Sequence, residues 1–198
     1  MKILCLDLEG VLAPEIWVGV AKATGIESLA LTTQDIPVYT ELMDRRLELL
    51  AQHNIGLKEI QQVIGRLHPL PGAIAFLDWA RERFQVAIIS DTFYEFAMPI
   101  MAQLGYPMLL CHKLEISDNK ITGYRLRQTD PKRHSVRAFQ NLTVKVLAAG
   151  DSYNDIPMLD QADKGYFYMA PEKIRVQYPQ FPAANNYSEL QALLEPEL

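Results

Sequence analysis

Four short stretches of the sequence carry residues able to do chemistry. Asp7 and Glu9 stand two positions apart and are followed at once by Gly10. Ser90, Asp91 and Thr92 are consecutive. Lys132 follows Asp130-Pro131, and Asp151, Asn154 and Asp155 crowd into GDSYND. An Asp-x-Glu pair by itself also serves at a strand end, where carboxylates cap the next helix, so it decides nothing alone. Together the stretches offer more. Asp7, Asp151 and Asp155 are hard oxygen donors that, brought to one place, would repel one another without a cation. Such a set with open positions suits Mg²⁺. A hydroxyl at Ser90 and an ammonium at Lys132 beside that cation suit a phosphate group.

Something has to bring these stretches together. Strand-like runs lie at residues 2–8, 84–90, 107–111 and 145–151. The first, second and fourth are apolar nearly throughout, which is the pattern of parallel strands covered on both faces. A helix is expected over 72–83, after Pro69 and Pro71, and another over 93–104, closed by Gly105. Alternating strands and helices predict a doubly wound α/β core with a parallel sheet. In that architecture ligands bind at the carboxyl edge of the sheet, where three of the four chemical stretches would end a strand.

Two segments break the alternation. Residues 13–68 are helix-like throughout, over 15–25, 37–54 and 57–67. Inserted after the first strand, they read as a small helical cap (13–68) over a core made of 1–12 and 69–198. Residues 114–126 alternate with period two around Ser117-Asp118-Asn119-Lys120, the signature of a β-hairpin. From about residue 178 the chain has Pro and Asn turns and one last short helix.

Composition excludes several classes. The chain has 198 residues, room for one ordinary domain with a small second module. Its net charge of −5 argues against nucleic acid as a partner. No apolar run approaches the ~20 residues of a membrane span. Asp7 and Glu9 interrupt the opening apolar stretch, so it does not read as a signal peptide. Cys5 and Cys111 then read as reduced, structural thiols of a cytoplasmic protein.

In order along the chain, DLEGVL, Ser90-Asp91-Thr92, Lys132 and GDSYND resemble the four motifs of the haloacid dehalogenase-like phosphatase superfamily. The match covers nearly the whole chain. Each motif is weak alone, and the ordered set is specific. The resemblance implies that Asp7 is the nucleophile and forms an aspartyl-phosphate. It implies that Mg²⁺ is held by Asp7, the backbone carbonyl of Glu9 and Asp151, while Ser90 and Lys132 bind phosphoryl oxygens. Glu9 becomes the general acid and base, and Asp155 orders the metal's waters.

Within that superfamily the helical insertion and GDSYND are most similar to phosphoserine phosphatases, with Glu15 and Arg46 matched to the residues that hold the substrate's ammonium and carboxylate. The periodicity of the second cap helix supports part of this independently. At about 100° per residue, Arg46 falls inside the apolar arc of Leu42, Met43, Leu47, Leu49 and Leu50, and Arg45 at its edge. A guanidinium there needs a partner. Substrate carboxylate, a salt bridge within the cap, or snorkelling would each serve. For Glu15 the other reading is a solvated acid in the first helical turn. Asn154 reads either as a substrate ligand or as a helix cap.

The chain departs from the phosphoserine phosphatase pattern at Glu9, where Asp is usual, and at Asp91, where Gly is usual. With SDTFYEF and LLCHKLEI, these departures resemble a bifunctional subgroup that hydrolyses phosphoserine and also transfers its phosphoryl group to homoserine. Asp91 is accordingly placed with the substrate-binding residues. Rival readings are a dehalogenase, a phosphorylatable receiver domain and a metabolite-binding protein without turnover. The Asp-x-Glu pair, the cap and the complete motif set weigh against all three. His53, His68, His112 and His134 show no metal-ligand spacing and read as surface or supporting residues. Trp17, Trp79 and the aromatics of 166–168 read as packing. The cap and the hairpin each offer a surface for a homodimer.

Overall fold

The structure is a computed structural model that describes residues 1–32, 35, 36 and 38–198. Its first strand, β1 (Lys2–Leu6), shows why the opening run is apolar without alternating. Leu4 and Leu6 pack on one face of the sheet and Ile3 and Cys5 on the other, and all four are buried. The remaining strands are β2 (Gln85–Phe93), β3 (Met108–Ser117), β4 (Lys120–Arg125), β5 (Lys145–Gly150), β6 (Lys164–Tyr168) and β7 (Ala183–Ala184). They form one sheet in the order β4-β3-β2-β1-β5-β6-β7. Every pairing is parallel except β3 with β4. β1 therefore lies between β2 and β5, and the ends of these three strands are neighbours.

Helices α1 (Ile16–Thr24), α2 (Tyr39–Gln52) and α3 (Leu57–Ile64) follow β1. The expected start of the second helix at Pro37 lies outside the described residues. α4 (Ala73–Arg81), α5 (Tyr94–Gln103) and, near the carboxyl terminus, α9 (Tyr187–Leu194) cover one face of the sheet. Phe76, Phe96 and Leu190 from these helices share a core with Leu4, Leu6 and Ile88. Val20, Met43, Leu50 and Ile60 extend that core into α1, α2 and α3. The opposite face carries α6 (Pro131–Asn141), α7 (Ile156–Gln161) and α8 (Glu172–Gln177), whose Val136, Met158 and Ile174 pack on Cys5, Ile89 and Val146. The doubly wound α/β architecture is as the sequence predicts. Among the described residues no helix is long and apolar enough to cross a membrane.

Three details differ from the sequence reading. β2 runs on to Phe93, so Ser90-Asp91-Thr92 sits within a strand, at a register shift between Ile89 and Phe93. The expected strand at 107–111 and the first arm of the hairpin are one strand, β3, which pairs parallel with β2 and then antiparallel with β4. β6 joins the sheet with Tyr166, Phe167 and Tyr168, so these aromatics are core residues of a strand too short to show periodicity.

The hairpin also reaches the helical insertion. Asp118 and Asn119 form its two-residue turn with φ of 48° and 68°. The Asn119 carbonyl accepts the Leu57 N–H at 2.8 Å and its Oδ1 accepts the Lys58 N–H at 2.8 Å. Its Nδ2 donates to Glu59 Oε2 at 2.9 Å. The first turn of α3 is thus capped from 60 residues away, satisfying donors a helix leaves open. Gly56 permits the approach, because a Cβ there would stand 2.3 Å from Asn119 Nδ2.

Candidate active site

The end of β1 delivers Asp7, which is 4% exposed, to the carboxyl edge of the sheet. The chain then turns through Gly10, whose φ is +77°. A side chain at this position is excluded twice. The left-handed backbone disfavours it, and its Cβ would lie 2.3 Å from Asp151 Oδ2. The loop after β1 can therefore press against the carboxylate that ends β5.

Lys132, near the start of α6, reaches under this edge with its ammonium wholly enclosed. It stands 2.5 Å from Asp155 Oδ1, 3.0 Å from Asp7 Oδ1 and 3.9 Å from Asp91 Oδ2. Asp155, 0% exposed, accepts the backbone N–H groups of Asp151 (2.9 Å) and Ser152 (3.1 Å) on its other oxygen. Both of its oxygens are thereby committed to the protein. Asp7 Oδ1 accepts the Leu8 N–H at 2.8 Å, leaving Oδ2 open. Asp151 keeps its carboxylate toward the cavity.

Charge does not balance here. One carboxylate oxygen from each of Asp7, Asp151 and Asp155 lies within 4.8 Å of the others, against the single ammonium of Lys132. Burial and Asp155 push Asp7 well above the ordinary carboxylate range, with Lys132 opposing, and push Asp151 up to about 7. Burial alone would lower Lys132, but Asp155, Asp7 and Asp91 outweigh it and hold the ammonium charged. Surplus negative charge on buried hard oxygens, with free positions on Asp7 and Asp151, fits a hard divalent cation.

A cavity of about 330 Å³ opens over this cluster. Asp7, Glu9, Glu15, Arg46, Ser90, Asp91, Asp151 and Asn154, all singled out in the sequence, line it. Lys132 stands behind Asp7. Ser90 Oγ accepts the Thr92 N–H at 3.2 Å, which leaves its own hydrogen free to donate. Glu9 Oε2 accepts the Ile16 N–H at the start of α1, at 2.9 Å. Burial and the neighbouring Glu15 nevertheless push Glu9 up to about 8. Asn154 donates from Nδ2 to Asp91 Oδ2 at 2.9 Å and accepts the Ser152 hydroxyl.

Arg46 is 7% exposed. Its guanidinium lies 4.5 Å over the Trp17 ring, and Nη2 donates to the Leu31 carbonyl at 2.6 Å. Nε has no partner among the described residues. Burial lowers its pKa to about 10, opposed by Tyr39, Glu9 and Glu15. Nε is itself sealed from solvent, so the part of Arg46 that lines the cavity is the rest of its guanidinium-bearing side chain, and a cation so buried gains from an anionic partner.

Three residues were missed or underrated from sequence. Trp17 carries Arg46 and is more than packing. Tyr39 lines the cavity and donates its hydroxyl to the Asp91 carbonyl at 2.9 Å. His112 is 3% exposed, not a surface residue; its Nδ1 accepts the Arg127 N–H and its Nε2 lies 3.8 Å from Asp91 Oδ1. A single aromatic or histidine has no spacing to betray it, because its partner is brought by tertiary contact.

The parallel sheet with a cluster of carboxylates and a lysine at its edge agrees with the comparisons to known proteins. Residues 19–160 match the family model of haloacid dehalogenase-like hydrolases, and the chain belongs to this family. Within it, the chain is 58% identical to phosphoserine phosphatase ThrH of Pseudomonas aeruginosa, over 96% of this chain and 93% of that protein. It is 55% identical to a phosphoserine phosphatase of Pseudomonas syringae pv. tomato, over 96% of this chain and 81% of that one. Among solved structures, the phosphoserine phosphatase of T. onnurineus superposes with a TM-score of 0.76 at 24% identity, over 98% of this chain and 94% of that chain. At that identity the likeness speaks for the fold.

Proposed function

We propose that this chain is a Mg²⁺-dependent phosphoserine phosphatase that also transfers the phosphoryl group to homoserine. Residues 13–68 act as the cap, and residues 1–12 with 69–198 form the catalytic core. The observation that carries the reading is Arg46: a buried guanidinium, stacked over Trp17, on a side chain that lines the same cavity as Asp7. An amino-acid carboxylate in that cavity meets the guanidinium with a charge-assisted hydrogen bond. Glu15, exposed on the same wall, takes the ammonium group.

Asp7 attacks phosphorus with its open carboxylate oxygen, and the bond from phosphorus to the serine oxygen breaks. Glu9 gives its proton to that departing oxygen, releasing serine and leaving phospho-Asp7. The Glu9 carboxylate then takes a proton from the acceptor hydroxyl, which attacks phosphorus and frees Asp7. Water as acceptor yields inorganic phosphate, and homoserine yields phosphohomoserine. Ser90 donates to one phosphoryl oxygen and Lys132 neutralises charge from below. The carboxylates of Asp7 and Asp151 with the Glu9 carbonyl would hold Mg²⁺, which when bound would supply positive charge for the phosphoryl oxygens. Asp155 fixes Lys132 and the turn that carries Asp151.

The test is a product balance. The protein is incubated with Mg²⁺ and phosphoserine, with and without homoserine, and with Asp7→Asn as the blank. Serine in excess of phosphate, with phosphohomoserine making up the difference, is the expected result. Equal serine and phosphate in the presence of homoserine would remove the transfer activity and leave a phosphatase. Cleavage of an aryl phosphate but not of phosphoserine would point to another small phosphomonoester and overturn the roles of Glu15 and Arg46.

A further inference from the structure

Resting on phosphoserine as substrate, we propose that Tyr39 is a positioning residue that docks α2 on the Ser90–Thr92 segment and so sets the distance between Arg46 and the phosphoryl-binding groups.

The cavity is built from two parts with separate supports. Ser90 stands on β2, and Asp7 and Asp151 directly follow β1 and β5, three strands locked together by the sheet. Arg46 stands on α2, outside the sheet. A substrate held by both parts needs them in register. Displacement on the order of 1 Å between binding groups is costly for reaction.

Tyr39, Leu42 and Arg46 occupy positions i, i+3 and i+7 of α2, one face of the helix, and all three line the cavity. Tyr39 links that face to β2 by a hydrogen bond. Its hydroxyl donates to the backbone carbonyl of Asp91, next to Ser90, at 2.9 Å. Its ring stands edge-on to His112 of β3, with centroids 6.2 Å apart. Asp91 belongs to β2, and its carboxylate accepts Asn154 Nδ2 at 2.9 Å with His112 Nε2 standing 3.8 Å away. The hydroxyl therefore meets a fixed point. A second anchor lies outside the cavity, where the Tyr124 hydroxyl of β4 donates to Asp44 Oδ1 of α2 at 3.2 Å. α3 has its own attachment at Asn119, and α2, packed on the core through Met43 and Leu50, is hydrogen-bonded to the sheet by the two tyrosines.

The experiment compares Tyr39→Phe with the parent on two substrates. Phosphoserine uses Arg46, and p-nitrophenyl phosphate has no carboxylate to present to it. Loss of one hydrogen bond is expected to raise KM for phosphoserine roughly fivefold. kcat/KM for the aryl phosphate should fall less, so that the ratio of the two shifts. Hydrogen exchange of the α2 amides in the substrate-free protein should quicken, with α3 unchanged. Tyr124→Phe is expected to move both readouts the same way by less, and it carries the test if Tyr39→Phe does not fold. An equal loss on both substrates, or a lowered melting temperature with neither readout moved, would overturn the dock and leave Tyr39 a packing residue. A parent enzyme inactive on phosphoserine would sink the substrate reading instead. Exchange of α2 then decides the dock alone: faster exchange upholds it, and unchanged exchange overturns it.

Discussion

Lys132 Nζ lies between Asp155 Oδ1, at 2.5 Å, and Asp7 Oδ1, at 3.0 Å, with all three side chains out of solvent. This single cation keeps a cluster of buried carboxylates tolerable. Lys132→Met leaves those carboxylates without their partner and is expected to cost about 3–5 kcal/mol of stability. Urea unfolding would measure it, and a loss below about 1 kcal/mol would show that the cluster relieves itself by taking up protons.

A divalent cation should relieve the same cluster from the cavity side. Mg²⁺ is expected to raise the melting temperature of the parent, and EDTA to reverse the rise. At 100 times the dissociation constant the gain is about 2.7 kcal/mol. Asp151→Asn removes one free carboxylate and should abolish most of the response. An undiminished response in that variant would place the cation elsewhere.

Arg46 is expected to act on substrate binding and not on fold. Arg46→Lys keeps the charge but loses the fork that can meet a carboxylate with two donors. KM for phosphoserine should rise by roughly 30-fold, equivalent to about 2 kcal/mol of a charge-assisted hydrogen bond. The aryl phosphate should be much less affected. Steady-state kinetics on both substrates distinguishes this from a general loss.

His112 makes stability depend on pH in one direction. Burial holds it below the ordinary histidine value of 6.5, with Asp91 opposing. Its Nδ1 must stay unprotonated to accept the Arg127 N–H. The unfolded chain therefore binds a proton that the folded chain refuses. This contribution is intact above pH 6.5 and is lost as pH falls below it. His112→Asn retains an acceptor for the Arg127 N–H without titrating and should flatten the slope of stability below about pH 6.5. Identical slopes in the two proteins would assign the dependence to other groups.

The hairpin cap on α3 can be removed without touching the cavity. Asn119→Ala deletes the acceptor for Lys58 and the donor to Glu59 and places alanine at a φ of 68°. A loss of about 1–2 kcal/mol is expected, or about 2–8 °C in melting temperature for a chain of this size. Asn119→Gly keeps the backbone acceptor for Leu57 without strain and should lose less. Equal losses would show that backbone strain contributes little.

Much of this was written along the chain. Asp7, Glu9, Ser90 and Asp151 stand at or beside the edges of apolar runs, and a parallel sheet must bring such edges together. Arg46 stood out because a guanidinium inside an apolar helical arc contradicts the period around it. These are local signals, legible because strand and helix periodicity are properties of neighbours in sequence. Other features needed the fold. β3 serves both the parallel sheet and the hairpin, and only the register of its two partners shows it. Asn119 caps a helix 60 residues upstream, Tyr39 bonds a carbonyl 52 residues away, and His112 is buried beside Asp91. Which donor meets which acceptor across such separations depends on how helices and strands pack. The sequence by itself determined the architecture and the groups able to do chemistry. The tertiary structure alone decided their partners, because hydrogen bonds and buried charges are satisfied by whatever packing brings near, at any distance along the chain.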